Sequence, residues 1–109
     1  MTSTDSTDEL EIRDQPDRRR YEASLDSHLA GFSQYRLEGD RITFHHTFVD
    51  PQYEGRGIGS RLVRQQLDDV RQRGLKVVPV CPFVRSYIKR HAEYQDLLDP
   101  TVPPPDQGR

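Results

Sequence analysis

The stretch His46-Thr47-Phe48-Val49-Asp50-Pro51-Gln52-Tyr53-Glu54-Gly55-Arg56-Gly57-Ile58-Gly59-Ser60 decides how this chain of 109 residues is read. At its upstream end, residues 41–49 alternate. Ile42, Phe44, His46 and Phe48 share one face, and Thr43, His45, Thr47 and Val49 share the other, which is the pattern of a half-buried strand. Asp50-Pro51 ends that strand, because proline donates no ladder hydrogen bond and restricts the residue before it. Downstream, Ile58, Leu62, Val63, Leu67 and Val70 fall within one half of a helical wheel, with Arg61, Arg64, Gln65, Asp68 and Asp69 largely opposite. The spacing predicts an amphipathic helix of about 15 to 17 residues. Between strand and helix, the alternate glycines Gly55, Gly57 and Gly59 remove side chains that would hold a ligand off the backbone. N–H groups at a helix start can then converge on one anion, so the loop points to phosphate or pyrophosphate binding.

Working outward, Arg71-Gln72-Arg73-Gly74 ends the helix, with cations at the negative end of its dipole and a glycine for the left-handed cap. Residues 75–80 are nearly all apolar and mostly branched, as expected of an interior strand beside a crossover helix. The crossover makes that strand parallel to residues 41–49, with a right-handed connection. Pro82 can open a second helix, with Val84, Tyr87, Ile88 and His91 on one face. On the other side of the quoted stretch, residues 28–37 read as a strand broken at Gly31. Turns flank it at Asp26-Ser27 and Glu38-Gly39-Asp40, and residues 20–25 are short and mixed. The fold class is mixed α+β and α/β: an antiparallel strand meander, one β-α-β crossover and a short C-terminal helix.

Composition confines this fold to the middle of the chain. Residues 1–17 carry six acidic side chains against Arg13 alone, and residues 99–109 hold four of the eight prolines; both read as disordered tails. Residues 18–98 then form one domain with a net charge of +4. That suits a small anionic ligand better than nucleic acid, whose usual footprint is a stronger basic face. No apolar run is long enough to span a bilayer and the N-terminus lacks a signal-like apolar stretch, so a soluble, cytoplasmic chain with no membrane partner is expected. One cysteine makes no internal disulfide and, with four scattered histidines, no recognisable metal site. A thin core and exposed strand edges suit a monomer or a weak homodimer.

The glycine loop fits neither common nucleotide motif. It lacks the lysine of a P-loop, its third glycine comes too early for a dinucleotide fold, and the next strand ends in Val80-Cys81 rather than an acid. It resembles the acetyl-CoA-binding motif of the GNAT superfamily of N-acetyltransferases, whose pattern of Gln or Arg, two residues, Gly, one residue, Gly or Ala maps onto Glu54, Gly57 and Gly59. Glu54 departs from the first position. His46-Thr47-Phe48-Val49 and Val77-Val78-Pro79-Val80-Cys81-Pro82-Phe83-Val84 further resemble the minimal single-domain GNAT-like branch, over roughly residues 20–98. The resemblance implies acetyl-CoA as co-substrate, an amine as acceptor, and a ligand lying between two strands that splay apart. Its pyrophosphate would rest on the backbone of Glu54, Gly55, Arg56, Gly57, Ile58, Gly59 and Ser60. Its pantetheine arm would pair with the strand around Phe48 and Val49. Pro79 fits this independently, since it removes a ladder donor from the neighbouring strand.

Acyl transfer from a thioester needs a deprotonated acceptor, a stabilised oxyanion and a proton for the departing thiolate. Cys81 follows a strand and precedes Pro82, near a helix N-terminus whose dipole favours a thiolate. It reads equally as a buried small hydrophobe packed with Val78 and Val80. The resemblance makes an acetyl-cysteine at Cys81 conceivable. His46, two residues before the pantetheine contact, is a candidate general base or orienting group; a core histidine is the plainer reading. Tyr87 matches the region of a tyrosine acid in larger family members and also fits a core face. Arg56, Arg61 and Arg64 are candidate phosphate partners or ordinary surface cations. Two functions follow: an N-acetyltransferase acting on an unidentified amine through this site, or a CoA-binding module without turnover that acts as sensor or adaptor.

Overall fold

The computed structural model describes residues 10–101. Five strands form one sheet in the order β1 (Leu10–Gln15), β2 (Arg20–Leu25), β3 (His28–Glu38), β4 (Arg41–Val49) and β5 (Lys76–Pro79). The first four pair antiparallel through tight turns. At Asp26-Ser27 both residues adopt positive φ, the conformation that matches a two-residue turn to the twist of its strands. Helix α1 (Ile58–Gln72) then carries the chain across to β5, which pairs parallel with β4, and helix α2 (Pro82–Arg90) follows. The mixed meander-plus-crossover architecture expected from the sequence is the one observed.

The core lies on one face of the sheet. Tyr21, Ala23, Leu25, Tyr35, Ile42, Phe44 and Val77 meet Ile58, Leu62, Val63, Leu67 and Val70 of α1 and Val84 and Ile88 of α2, all buried. Tyr94 and Leu97, in the 3-10 segment Ala92–Leu97, extend that core, and the Tyr94 hydroxyl donates to Asp68 of α1 at 2.7 Å. The opposite face carries ion pairs two residues apart on three successive strands: Glu11 with Arg13, Arg20 with Glu22, and Arg36 with Glu38. It also carries an aromatic cluster of Phe32, His46 and Phe48, with the Arg20 guanidinium 4.4 Å from the Phe32 ring centre. Among the described residues, the buried side chains of Ser33 and Gln66 find no hydrogen-bond partner.

Three expectations are corrected. Residues 10–15 lie inside the expected acidic tail yet form β1, because Leu10 and Ile12 alternate onto the core face opposite Leu25 and Ala23 while Glu11 and Arg13 point away. At the other end, Leu98 bridges Val77 in parallel, the Asp99 N–H donates to the Val77 carbonyl at 3.0 Å, and the Asp99 carboxylate pairs with Arg41 at 3.2 Å. Residues 1–9 and 102–109 of the two expected tails lie outside the described residues.

The third correction concerns β4. Tyr35 pairs with Phe44 and Gln34 pairs with His46, so His45 is an extra residue and the strand is bulged there. Beyond the bulge the alternation slips by one. Ile42 and Phe44 face the core as expected, but His46 and Phe48 turn to the opposite face and meet Phe32, while Thr47 and Val49 turn to the helix-covered face.

Candidate functional site

The pairing of β4 with β5 ends at Phe44 and Pro79, although β4 runs on to Val49. The missing N–H of Pro79 and the bulge at His45 both work against a longer ladder. From there the strands diverge, and the Cys81 N–H turns back to the Phe44 carbonyl at 2.8 Å, closing the end of the pairing. Among the described residues no strand pairs with the β5-side edge of residues 45–49. An unpaired strand edge of this kind is a template for an extended ligand.

Past Val49 the Asp50 carboxylate accepts from the Gln52 N–H at 3.1 Å and sets the short turn Pro51–Tyr53. The chain then enters the glycine loop. Gly55 and Gly57 hold φ of +86° and +71°, which strains any side chain, and open space surrounds both. Gly57 is the N-cap of α1, so its cap position has no side chain to satisfy the first N–H groups, and no acidic residue lies in the first turn. Gly59 serves a different need: a Cβ there would meet Phe83 Cζ at 2.8 Å and Val49 Cγ2 at 3.3 Å. The first turns of α1 and α2 therefore touch through Phe83, beside the last residue of β4. The guanidinium of Arg56 lies 5.6 Å from the Tyr53 ring centre, and Glu54, Arg56 and Ser60 are exposed.

Cys81 is the N-cap of α2 and is buried. Its thiol donates to the Thr47 hydroxyl at 3.3 Å across the diverging strands. Pro82 occupies the first helical position, and neither helix start has a side-chain cap. Two uncapped N-termini thus flank the end of the β4 edge, where developing negative charge is favoured.

The remaining predicted residues divide. Phe48 and Val49 lie on the unpaired stretch of β4, with Phe48 38% exposed on the aromatic face and Val49 against the core. His46 is exposed on the face opposite Thr47 and Cys81, so the structure does not bring it to the thiol. Tyr87 is buried, its ring stacked on His91 at 3.9 Å, and burial pushes its phenol up from the ordinary tyrosine range. Thr47 escapes a strict period of two, which puts it on the wrong face. Phe83 carries no sequence signal, because its contact with Gly59 joins two elements that spacing cannot relate. Among the described residues no group of histidine, cysteine and acidic side chains could hold a metal ion, and no helix is long and apolar enough to cross a membrane.

The sequence model of the GCN5-related N-acetyl-transferase family matches residues 20–97. The chain belongs to that family of acyltransferases. A GCN5-like protein from Staphylococcus aureus, solved in solution, is similar in fold, with a TM-score of 0.65 and 22% identity over 84% of this chain and 89% of its own. The ribosomal-protein-S18-alanine N-acetyltransferase of Escherichia coli gives a TM-score of 0.52 and 23% identity, over 56% of this chain and 41% of its own. Ard1 from Thermoplasma volcanium gives 0.54 and 18%, over 67% and 54%. The match thus spans about half the length of these two larger proteins. A comparison with curated proteins gives no match.

Proposed function

We propose that the protein binds acetyl-CoA and transfers its acetyl group to an amine, with Cys81 at the point of transfer. The observation that carries this reading is the juxtaposition of an uncapped, glycine-led start of α1 with an unpaired edge of β4 that leads to a buried thiol. Backbone N–H groups from Gly57 to Ser60 bind the pyrophosphate and the helix dipole reinforces them. The β4 edge at Phe48 and Val49 pairs with the amide-bearing pantetheine arm as an added strand would. That register leads the thioester toward the divergence, where Thr47 and Cys81 meet. Cys81 accepts the acetyl group, and the start of α2 stabilises the oxyanion formed on the way. His46, on the other face of the sheet, has no part in this reading.

Incubating the protein with acetyl-CoA and weighing it intact tests the proposal. An acetyl adduct is expected in the wild type and is lost in Cys81→Ala, with CoA affinity by calorimetry unchanged. Tight binding with neither adduct nor release of free CoA to a panel of amines would replace the enzyme with a CoA-binding module. Absence of any CoA binding would remove both.

A further inference from the structure

The bulge at His45 changes the chemistry available at the site as well as the shape of the strand. Without the extra residue, Thr47 would face the ion-paired side of the sheet. With it, the Thr47 hydroxyl reaches the helix-covered side and accepts from the Cys81 thiol at 3.3 Å. We propose that Thr47 is the positioning residue for acyl transfer at Cys81: it accepts from the thiol at rest and turns to donate to the thiolate once the proton has left. The proposal rests on the acetyl-CoA reading above.

The argument has three parts. A hydroxyl is both donor and acceptor and its hydrogen rotates freely, so one threonine serves the thiol and the thiolate without moving a heavy atom. The pair is held from both sides: Cys81 by its N–H to the Phe44 carbonyl at 2.8 Å and its carbonyl to the Arg85 N–H at 2.9 Å, and Thr47 by a β-branched side chain on a strand paired with Ser33. Finally, Cys81 is only 4% exposed while Thr47 is half-buried, so the thiolate depends on what the protein offers it. The start of α2 supplies a dipole, and Thr47 supplies a directed hydrogen bond.

The step balances without any redox change. The Cys81 thiol gives its proton to water. Its sulfur forms a bond to the acetyl carbonyl carbon, the bond from that carbon to the CoA sulfur breaks, and the departing CoA thiolate takes a proton from water.

Thr47→Val keeps the shape and removes the hydroxyl, and Thr47→Ser keeps the hydroxyl. Acetylation of Cys81, the sole cysteine, is followed by intact mass with two donors: acetyl-CoA, and p-nitrophenyl acetate, which needs no CoA site. Cys81→Ala supplies the background. Thr47→Val is expected to slow acetylation by both donors about tenfold, the scale of one lost hydrogen bond to a charged group. Thr47→Ser is expected to return it to within about threefold of wild type. Wild-type rates in Thr47→Val, or a Thr47→Ser variant as slow as Thr47→Val, overturn the proposal. If p-nitrophenyl acetate shows the expected order while acetyl-CoA reacts with none of the proteins, the positioning role stands and the acetyl-CoA reading falls.

Discussion

The two ends of α1 are built on opposite plans. At its C-terminal end polar side chains are tied together. The Tyr21 hydroxyl donates to Asp69, the Tyr35 hydroxyl donates to Asp14 at 2.6 Å, and Arg73 reaches Asp14, Asp69 and the Tyr21 hydroxyl within 3.4 Å. Arg71 adds a two-point contact with Asp96, and Tyr94 binds Asp68. Together these bonds fasten β1, β2, β3 and the segment after α2 to one helix end. At the N-terminal end the cap is a glycine with no side chain to offer, and α1 touches α2 through a glycine and a phenyl ring. The contrast separates duties: one end holds the layers in place, and the other leaves its donors available.

This separation can be broken by mutation. Tyr21→Phe removes the hydroxyl that joins Asp69 and Arg73. It is expected to cost about 1–2 kcal/mol, lowering the melting temperature by about 5–10 °C, while CoA affinity by calorimetry stays within about twofold. An affinity that falls with the stability would show the two ends to be coupled. Gly59→Ala works at the other end. Its Cβ forces the Phe83 ring away from the start of α1. CoA affinity is expected to drop about three- to tenfold, while thermal stability holds or rises, since alanine is the better helix former. A loss of stability with unchanged affinity would make Gly59 a packing residue alone. Tyr94→Phe is expected to have the smallest effect, a modest loss of stability below about pH 10 that fades in alkali. Burial, then the hydrogen bond to Asp68, pushes the Tyr94 phenol up to about 12. Its contribution is therefore complete below about pH 10, the unfolded value, and is lost as pH rises toward the folded one. Denaturant midpoints between pH 10 and 12 should fall less steeply in the variant; an identical slope would show that this phenol does not resist ionisation in the fold.

What the sequence revealed follows the same division. Strong local periods showed α1, β5 and most of β4, and the glycines with Pro79 and Pro82 marked the loop, the divergence and the start of α2. Each of these rests on residues near one another in the chain. β1 was hidden because two apolar residues, Leu10 and Ile12, are too few to stand out among acids, and it exists only because β2 is beside it. The bulge was invisible for a different reason. Register is a property of two strands, and the slip at His45 is set by how Gln34 and Tyr35 meet their partners on β4. That single unreadable residue decided which of His46 and Thr47 faces the thiol. The polar knot at the end of α1 was equally beyond reach, since Asp14, Tyr21, Tyr35, Asp69 and Arg73 come from four elements.

The pair at the centre of the site also bears on how the protein folds. Thr47 and Cys81 are 34 residues apart, whereas the turn between β2 and β3 closes over only two. Local hairpins pay little loop entropy and close early, while the crossover must bring distant segments together against a larger cost. The hydrogen bond between hydroxyl and thiol therefore forms with the late, long-range step of assembly. A chain that has completed only its meander has strands but no site, and reactivity at Cys81 becomes a readout of whether the crossover has closed.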